Sequence, residues 1–171
     1  MVKKVSRNCQ FCKIRRAHPT TPPMSSLPQA RLAINERPFT HVGLDYFGPL
    51  LVKLGRSTVK RWIALFTCLT VRAIHLEVAF SLSTDSCISC IRRFVSRRGS
   101  PVEFFSDNGT NFQGAERILR QQIDDKLFTT FTNGKTRWNF IPPSAPHMGG
   151  AWERMARSVK VAIRDAFEVG K

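Results

Sequence analysis

Residues 73–106 read AIHLEVAFSLSTDSCISCIRRFVSRRGSPVEFFS, and a change of rhythm inside this stretch decides the fold. Ile74, Leu76 and Val78 alternate with His75 and Glu77, a period of two that predicts a strand over Ala73–Phe80. Ser83-Thr84-Asp85 then supplies a helix start. Cys87, Ile88, Ile91, Phe94 and Val95 make an apolar stripe at helical spacing, and Gly99 before Pro101 supplies the stop. Val102–Ser106 returns as a short apolar strand. Strands separated by a helix are joined by a right-handed crossover, which makes this half of the sheet parallel.

Working outward toward the N-terminus, Arg61–Cys68 is rich in bulky apolar residues and predicts a second strand. Phe39–Phe47 predicts a first. It sets Val42, Leu44 and Tyr46 on one face and His41, Gly43, Asp45 and Phe47 on the other, with Gly48-Pro49 as its end. Short connections among these three favour an antiparallel meander. Toward the C-terminus, Ser106 runs into Asp107-Asn-Gly, and a helix is expected from near Asn111 through Ile118 and Leu119. A weaker helical stretch covers Asp124–Phe131, and Arg137–Ile141 reads as a fifth strand closed by Pro142-Pro143. From about Gly150 a helix runs to the end, with Trp152, Met155, Val159, Ile163 and Ala166 on one face. The order β-β-β-α-β-α-β-α predicts an α/β fold: a five-stranded mixed sheet, three antiparallel strands then two parallel, flanked by helices.

At 171 residues the chain suits one globular domain with a short appendage. Lys and Arg number 27 against 12 Asp and Glu, and a net charge of +15 draws a polyanion by releasing its counterions, so nucleic acid is the expected partner. The longest apolar run, Trp62–Phe66, is too short to cross a bilayer, and no apolar signal region follows Met1. The expected setting is intracellular, nuclear or cytoplasmic, without a membrane. Five cysteines and no export signal read as thiols or metal ligands rather than as a disulfide frame. Cys9-Gln-Phe-Cys12 has the spacing of half a zinc site. Cys87 and Cys90 read as helix packing, because Cys87 lies on the apolar stripe. The breaker-rich run from His18 to Pro28 reads as a linker.

Three acids are out of place. Asp45 interrupts an apolar strand, Asp107 stands at the carboxyl end of the fourth strand, and Glu153 lies in the first turns of the last helix. A carboxylate in or beside an apolar sheet costs several kcal/mol unless it is paired or coordinates a cation. Hard divalent ions remove that cost, because Mg²⁺ takes oxygen ligands. Crevices at the carboxyl ends of parallel strands are also where ligands usually bind. Each acid has a plain reading too: Asp107-Asn-Gly is good turn chemistry, and Glu153 is favourable charge near a helix N-terminus. Asn108 and Asn111 can orient substrate or serve as turn and helix-start residues. His41 and His75 read as core or edge residues.

The strings Thr40-His-Val-Gly-Leu-Asp-Tyr-Phe-Gly-Pro-Leu50, Phe105-Ser-Asp-Asn-Gly-Thr-Asn-Phe112 and Pro146-His-Met-Gly-Gly-Ala-Trp-Glu-Arg154 resemble, in order, the three acidic motifs of retroviral and retrotransposon integrases. Among these the chain looks most like the Bel-Pao branch. The resemblance implies a ribonuclease H-like fold and two-metal phosphoryl transfer with Mg²⁺ or Mn²⁺ held by Asp45, Asp107 and Glu153. It implies trimming of a retroelement's DNA ends and their joining to target DNA, by proteins that are homo-oligomers at full length. Residues 1–17, with Cys9 and Cys12, look like the remnant of a zinc-binding N-terminal domain. Residues 18–33 form the linker and 34–171 the catalytic core. Lys160 looks like the family's lysine that contacts the DNA end, and Arg157 and Arg164 share its face with Glu153. His147 belongs to the third motif, where it braces the loop before Glu153.

The spacing from Asp107 to Glu153 exceeds that usual in retroviral integrases, and the extra length is expected in Gln121–Lys135. The chain is expected to begin after the zinc domain's histidines and to stop inside or just after the helix bearing Glu153. Two other readings stay open: a DNA-binding remnant of a transposable element without turnover, and a ribonuclease H-type nuclease acting on an RNA–DNA hybrid.

Overall fold

A computed structural model describes residues 9–17, 26–121, 136–142 and 146–169, with the side chains of 121, 146–148 and 167–169 excepted. The expectations for His18, for a helix over Asp124–Phe131 and for the side chain of His147 fall outside what it describes. Helix α1 spans Gln10–Arg16, and a 3-10 turn covers Gln29–Arg31. Then follow β1 (His41–Leu54), β2 (Ser57–Cys68), β3 (Ile74–Ala79), α2 (Thr84–Arg98), β4 (Glu103–Ser106), α3 (Thr110–Gln121), β5 (Arg137–Phe140) and α4 (Pro146–Val169). The five strands form one sheet in the order β3-β2-β1-β4-β5. β1–β2 and β2–β3 are antiparallel, while β1–β4 and β4–β5 are parallel, as the rhythm of the sequence requires.

Alternation along β1 and β2 gives the sheet two apolar faces. On one, Val42, Leu44, Ala64 and Phe66 meet Cys87, Cys90, Ile91 and Phe94 of α2 and Phe112 and Ala115 of α3. The rings of Phe66 and Phe94 stack there at 4.3 Å. On the other, Phe47 and Leu65 meet Ala156 and Val159 of α4. Helix α2 is bounded as its sequence predicts: the Ser83 side chain accepts the Ser86 N–H, and Gly99 ends the helix at φ 83°. A Cβ on Gly99 would also sit 2.1 Å from Arg37 Nη1, and that guanidinium donates to the carbonyls of Arg98 and Ser100.

Three boundaries differ from expectation. Gly48-Pro49 does not end β1: Phe47 pairs with Ile63 and Leu50 with Arg61, so both residues stand opposite Trp62 alone in a bulge, and β1 continues to Leu54. A bulge leaves one residue out of the ladder, which is where a proline without an N–H is tolerated. β2 correspondingly starts at Ser57 rather than Arg61. Helix α4 starts at Pro146, not Gly150, since proline suits a first helical turn. Along α4, Trp152, Ala156 and Val159 are buried and Met155 and Ile163 half-buried, but Ala166 is exposed.

On β3 the faces are assigned in a way alternation does not reveal. Glu77 and Ala79 are buried and His75 nearly so, while Ile74, Leu76 and Val78 are largely exposed. Glu77 is only 6% exposed and accepts Arg93 Nε at 2.6 Å, the Arg97 guanidinium, and His75 Nε2 at 2.9 Å. Burial pushes its carboxyl up, but these donors outweigh burial and hold it below its usual range. Ala30, inside the expected linker, is buried with Leu69, Ala151 and Trp152.

Candidate active site

Gly43, Asp45 and Phe47 share the face of β1 that α4 covers. A Cβ on Gly43 would lie 2.4 Å from Cε3 of Trp152, so only glycine lets the helix sit directly on the strand here. Two residues on, Asp45 is held between that contact and the packing of Phe47 on Ala156 and Val159. Its Oδ1 accepts the Tyr46 N–H at 2.8 Å. Burial pushes the Asp45 carboxyl up to about 6; the charges of Asp107 and Glu153 push the same way, while the Tyr46 N–H and Lys160 oppose. Asp45 therefore feels both of the other acids, which come from distant parts of the chain.

The parallel register explains how Asp107 arrives. Gly43 pairs with Phe105, so Asp107, two residues past Phe105, stands level with Asp45, two past Gly43. Asp107 is exposed, and its Oδ1 accepts the Gly109 N–H at 2.9 Å. The Gly109 carbonyl in turn accepts the N–H groups of Phe112 and Gln113 and starts α3. The Asn108 side chain donates to the Ile141 carbonyl, tying the end of β4 to the end of β5, and Asn111 Oδ1 lies over Gly109.

Sequence reasoning missed a support beneath Asp107. Ser106 is fully buried, accepts Trp138 Nε1–H at 2.8 Å and donates to the Asp107 carbonyl at 2.9 Å. A small hydroxyl at the end of a Phe-Phe strand is its one signal in the sequence.

Glu153 is exposed on α4, with Oε1 3.2 Å from where a Cβ on Gly149 would stand. Arg157, Lys160 and Arg164 are exposed as well. Lys160 Nζ lies 5.7 Å from the centre of the Phe47 ring, and Arg164 pairs with Asp165 at 3.6 Å. Among the described residues no three His, Cys, Asp or Glu side chains make a ready metal-holding group. Asp107 and Glu153 thus lie within electrostatic reach of Asp45 without the three being closed round a common point. Their chemistry nonetheless fits a hard divalent ion: all donors are oxygen, and Asp45 carries a like-charge burden that such an ion would relieve. A cleft of about 1350 Å³ on the same sheet face is lined by Leu27, Arg31, His41, Glu103, Phe105 and Trp152, and none of the three acids lines it.

Cys9 and Cys12 both carry free thiols at the start of α1, and backbone and side-chain contacts from Cys12 hold the Cys9 thiol below its usual range. Cys87 and Cys90 are fully buried, as expected of packing residues.

No family model and no curated protein matches the chain. Solved structures do. The catalytic core domain of HTLV-2 integrase in complex with magnesium, in its dimeric form, superposes with a TM-score of 0.51 at 16% identity, over 76% of this chain and 73% of that one. The chain has the integrase-core fold. The trimeric form of the same core gives a TM-score of 0.51 at 16% identity, over 76% of this chain and 72% of that one. A simian T-cell lymphotropic virus intasome in complex with the PP2A regulatory subunit B56 gamma gives 0.56 at 14% identity, over 97% of this chain. The chain spans about half the length of that intasome chain, 52%. Asp45 lies within β1 and Asp107 just past the end of the adjacent parallel strand β4, while Glu153 stands on α4, the helix that packs on β1. No helix among the described residues is long and apolar enough to cross a membrane.

Proposed function

We propose that the chain is the catalytic core of a retroelement integrase of the Bel-Pao branch, a polynucleotidyl transferase that trims the element's DNA ends and joins them to target DNA. One observation carries this reading: the parallel register sets Asp107 level with Asp45 on the face that α4 covers, where burial first, and then the charges of Asp107 and Glu153, push the Asp45 carboxyl up. A half-buried carboxylate that feels two further carboxylates is relieved when the three share a cation.

Asp45 and Asp107 are the residues to hold Mg²⁺ or Mn²⁺, with Glu153 completing the second of two sites. Bound there, such ions supply an activated water or 3′-hydroxyl and charge stabilisation at the leaving oxygen. The chain's own part is positioning. The Tyr46 and Gly109 N–H groups each fix one carboxylate oxygen, leaving the other for a ligand. Ser106 and Trp138 hold the backbone at Asp107 in place. Arg157, Lys160 and Arg164, exposed on α4 with Glu153, grip phosphates, with Asn108 and Asn111 beside Asp107. In this reading Cys9 and Cys12 are two of four zinc ligands, the full-length protein is a homo-oligomer, and it acts on DNA in the nucleus or cytoplasm.

Asp107→Asn is expected to abolish Mg²⁺- or Mn²⁺-dependent strand transfer, and its reversal on branched DNA. Activity that survives this change excludes the mechanism. Binding without turnover is a second reading, favoured by the absence of a closed ligand set among the described residues. Salt-dependent DNA binding with no metal-dependent cleavage would support it. Faster cleavage of an RNA–DNA hybrid than of DNA would favour a ribonuclease H-type nuclease.

A further inference from the structure

Past the bulge, β1 and β2 leave the rest of the sheet. β4 pairs with β1 only over His41–Gly43, and the pairing of β3 with β2 stops at Trp62↔Ala79. Residues 50–61 are therefore a bare two-stranded ribbon, and every residue from Leu51 to Thr58 is exposed. An isolated pair of strands is marginal in water, so a ribbon with Leu51 71% and Leu54 62% exposed is built to meet something.

Charge says what. No acid occurs from Tyr46 to Leu76, whereas Lys53, Arg56, Lys60 and Arg61 all lie on the ribbon. Lys53 faces Thr58 and Lys60 faces Leu51, so the two lysines are diagonal neighbours on one side. Like charges so placed are unfavourable until an anion lies against them. Arg61 is already engaged, its guanidinium 5.0 Å from the Phe80 ring centre and donating to the Lys60 carbonyl.

We infer that this ribbon is a second contact for double-stranded DNA, holding the phosphate backbone through Lys53, Arg56 and Lys60 well away from the carboxylates. The choice of DNA rests on the proposed function; the ribbon itself does not. A two-stranded ribbon is of a size that the major groove admits. Asp45 and Leu54 lie on one strand, nine residues apart, a reach of roughly 30 Å at about 3.3 Å per residue. That is close to one turn of B-DNA, about 34 Å. DNA reacting at Asp45 and Asp107 thus meets the ribbon about one helical turn away.

The test is anisotropy titration of the whole chain, in EDTA, against duplexes of about ten and about thirty base pairs at several salt concentrations. In the triple variant Lys53→Gln, Arg56→Gln, Lys60→Gln, the slope of log affinity against log salt on the long duplex is expected to fall by about 2–3, at about 0.9 per lost phosphate contact. The short duplex is expected to show no change. A matched triple on α1, Lys13→Gln, Arg15→Gln, Arg16→Gln, should leave the length dependence intact. An unchanged long-duplex slope, or equal losses on both duplexes, overturns the inference. A parent that transfers strands while the ribbon variant keeps its slope sinks only the ribbon. A parent whose ribbon variant loses slope but which transfers no strands sinks only the catalytic reading. A parent that binds no DNA sinks both.

Discussion

Asp45 keeps its proton to about pH 6 because burial, and after it Asp107 and Glu153, disfavour its charge. The ordinary value, 3.8, is that of the unfolded chain. With the folded value the higher, the folded state binds the proton more tightly; the stability this gives is complete below about pH 4 and is lost as the pH rises through about 6. The difference between 3.8 and about 6 corresponds to on the order of 3 kcal/mol. In EDTA the chain is therefore expected to lose stability between pH 4 and 7 relative to Asp45→Asn, as read by thermal denaturation of the two side by side. Identical pH profiles would remove the electrostatic basis of the site. Mg²⁺ should raise the melting temperature more at pH 7.5 than at pH 5, and should do so less in Asp45→Asn. Gly43→Ala tests the strand–helix contact next door: a methyl that must displace the Trp152 ring is expected to cost about 1–3 kcal/mol and to depress strand transfer by shifting the helix that carries Glu153. Of the three acids, Asp45 stands out in the sequence because it interrupts an apolar strand, whereas Asp107 and Glu153 suit a turn and a helix start and are singled out by the motifs around them. The Gly43–Trp152 and Ser106–Trp138 pairs were not legible there, since their members lie far apart in sequence and only the folded sheet brings them together.

At the scale of elements, α2 was readable to its ends, from the Ser83 cap to Gly99, because caps and stops are local chemistry. Ser83→Ala is expected to cost about 1 kcal/mol in denaturant unfolding. β3 was readable as a strand but not as to which side is buried, because alternation has no sign. Its buried side is the charged one, and what makes that tolerable is Arg93 and Arg97, a turn apart on α2. Glu77→Gln is expected to destabilise by about 1–3 kcal/mol at neutral pH. The Glu77 carboxyl is held below its ordinary 4.5, so the stability it gives is present above that value and is lost as the pH falls through the lower folded value. The variant should consequently lose less than the parent on acidification, and an equal loss would deny Glu77 that role. Gly48-Pro49 misled for a physical reason: proline forbids one ladder bond, and a bulge is the arrangement in which that bond is not needed.

For the whole molecule, the strand directions, three antiparallel and then two parallel, followed from the rhythm of the chain because short hairpins and crossover handedness leave few alternatives, whereas the docking of β4 on β1 emerges only in the folded sheet. Convergence of Asp45 and Asp107 is likewise a product of topology, fixed by the register in which β4 lies against β1. The basic excess is spread over at least two surfaces, the exposed edge of α4 and the β1–β2 ribbon. Arg157→Ala, Lys160→Ala and Arg164→Ala together should weaken binding to short and long duplexes alike, in contrast to the ribbon variant. Titrations on both lengths would show it, and a loss confined to the long duplex would place α4 away from the reacting phosphate.

The bulge at Gly48 and Pro49 has an effect on how freely the arm can be aimed. Since Leu50 already faces Arg61, deleting Pro49 would set Gly48 opposite Trp62 and leave every downstream cross-strand partner where it is. Bulges bend a strand and add local twist, so what would change is the arm's heading, with its cargo of side chains intact. Where on a duplex the tip lands is thus adjustable by a single codon, independently of what the tip carries.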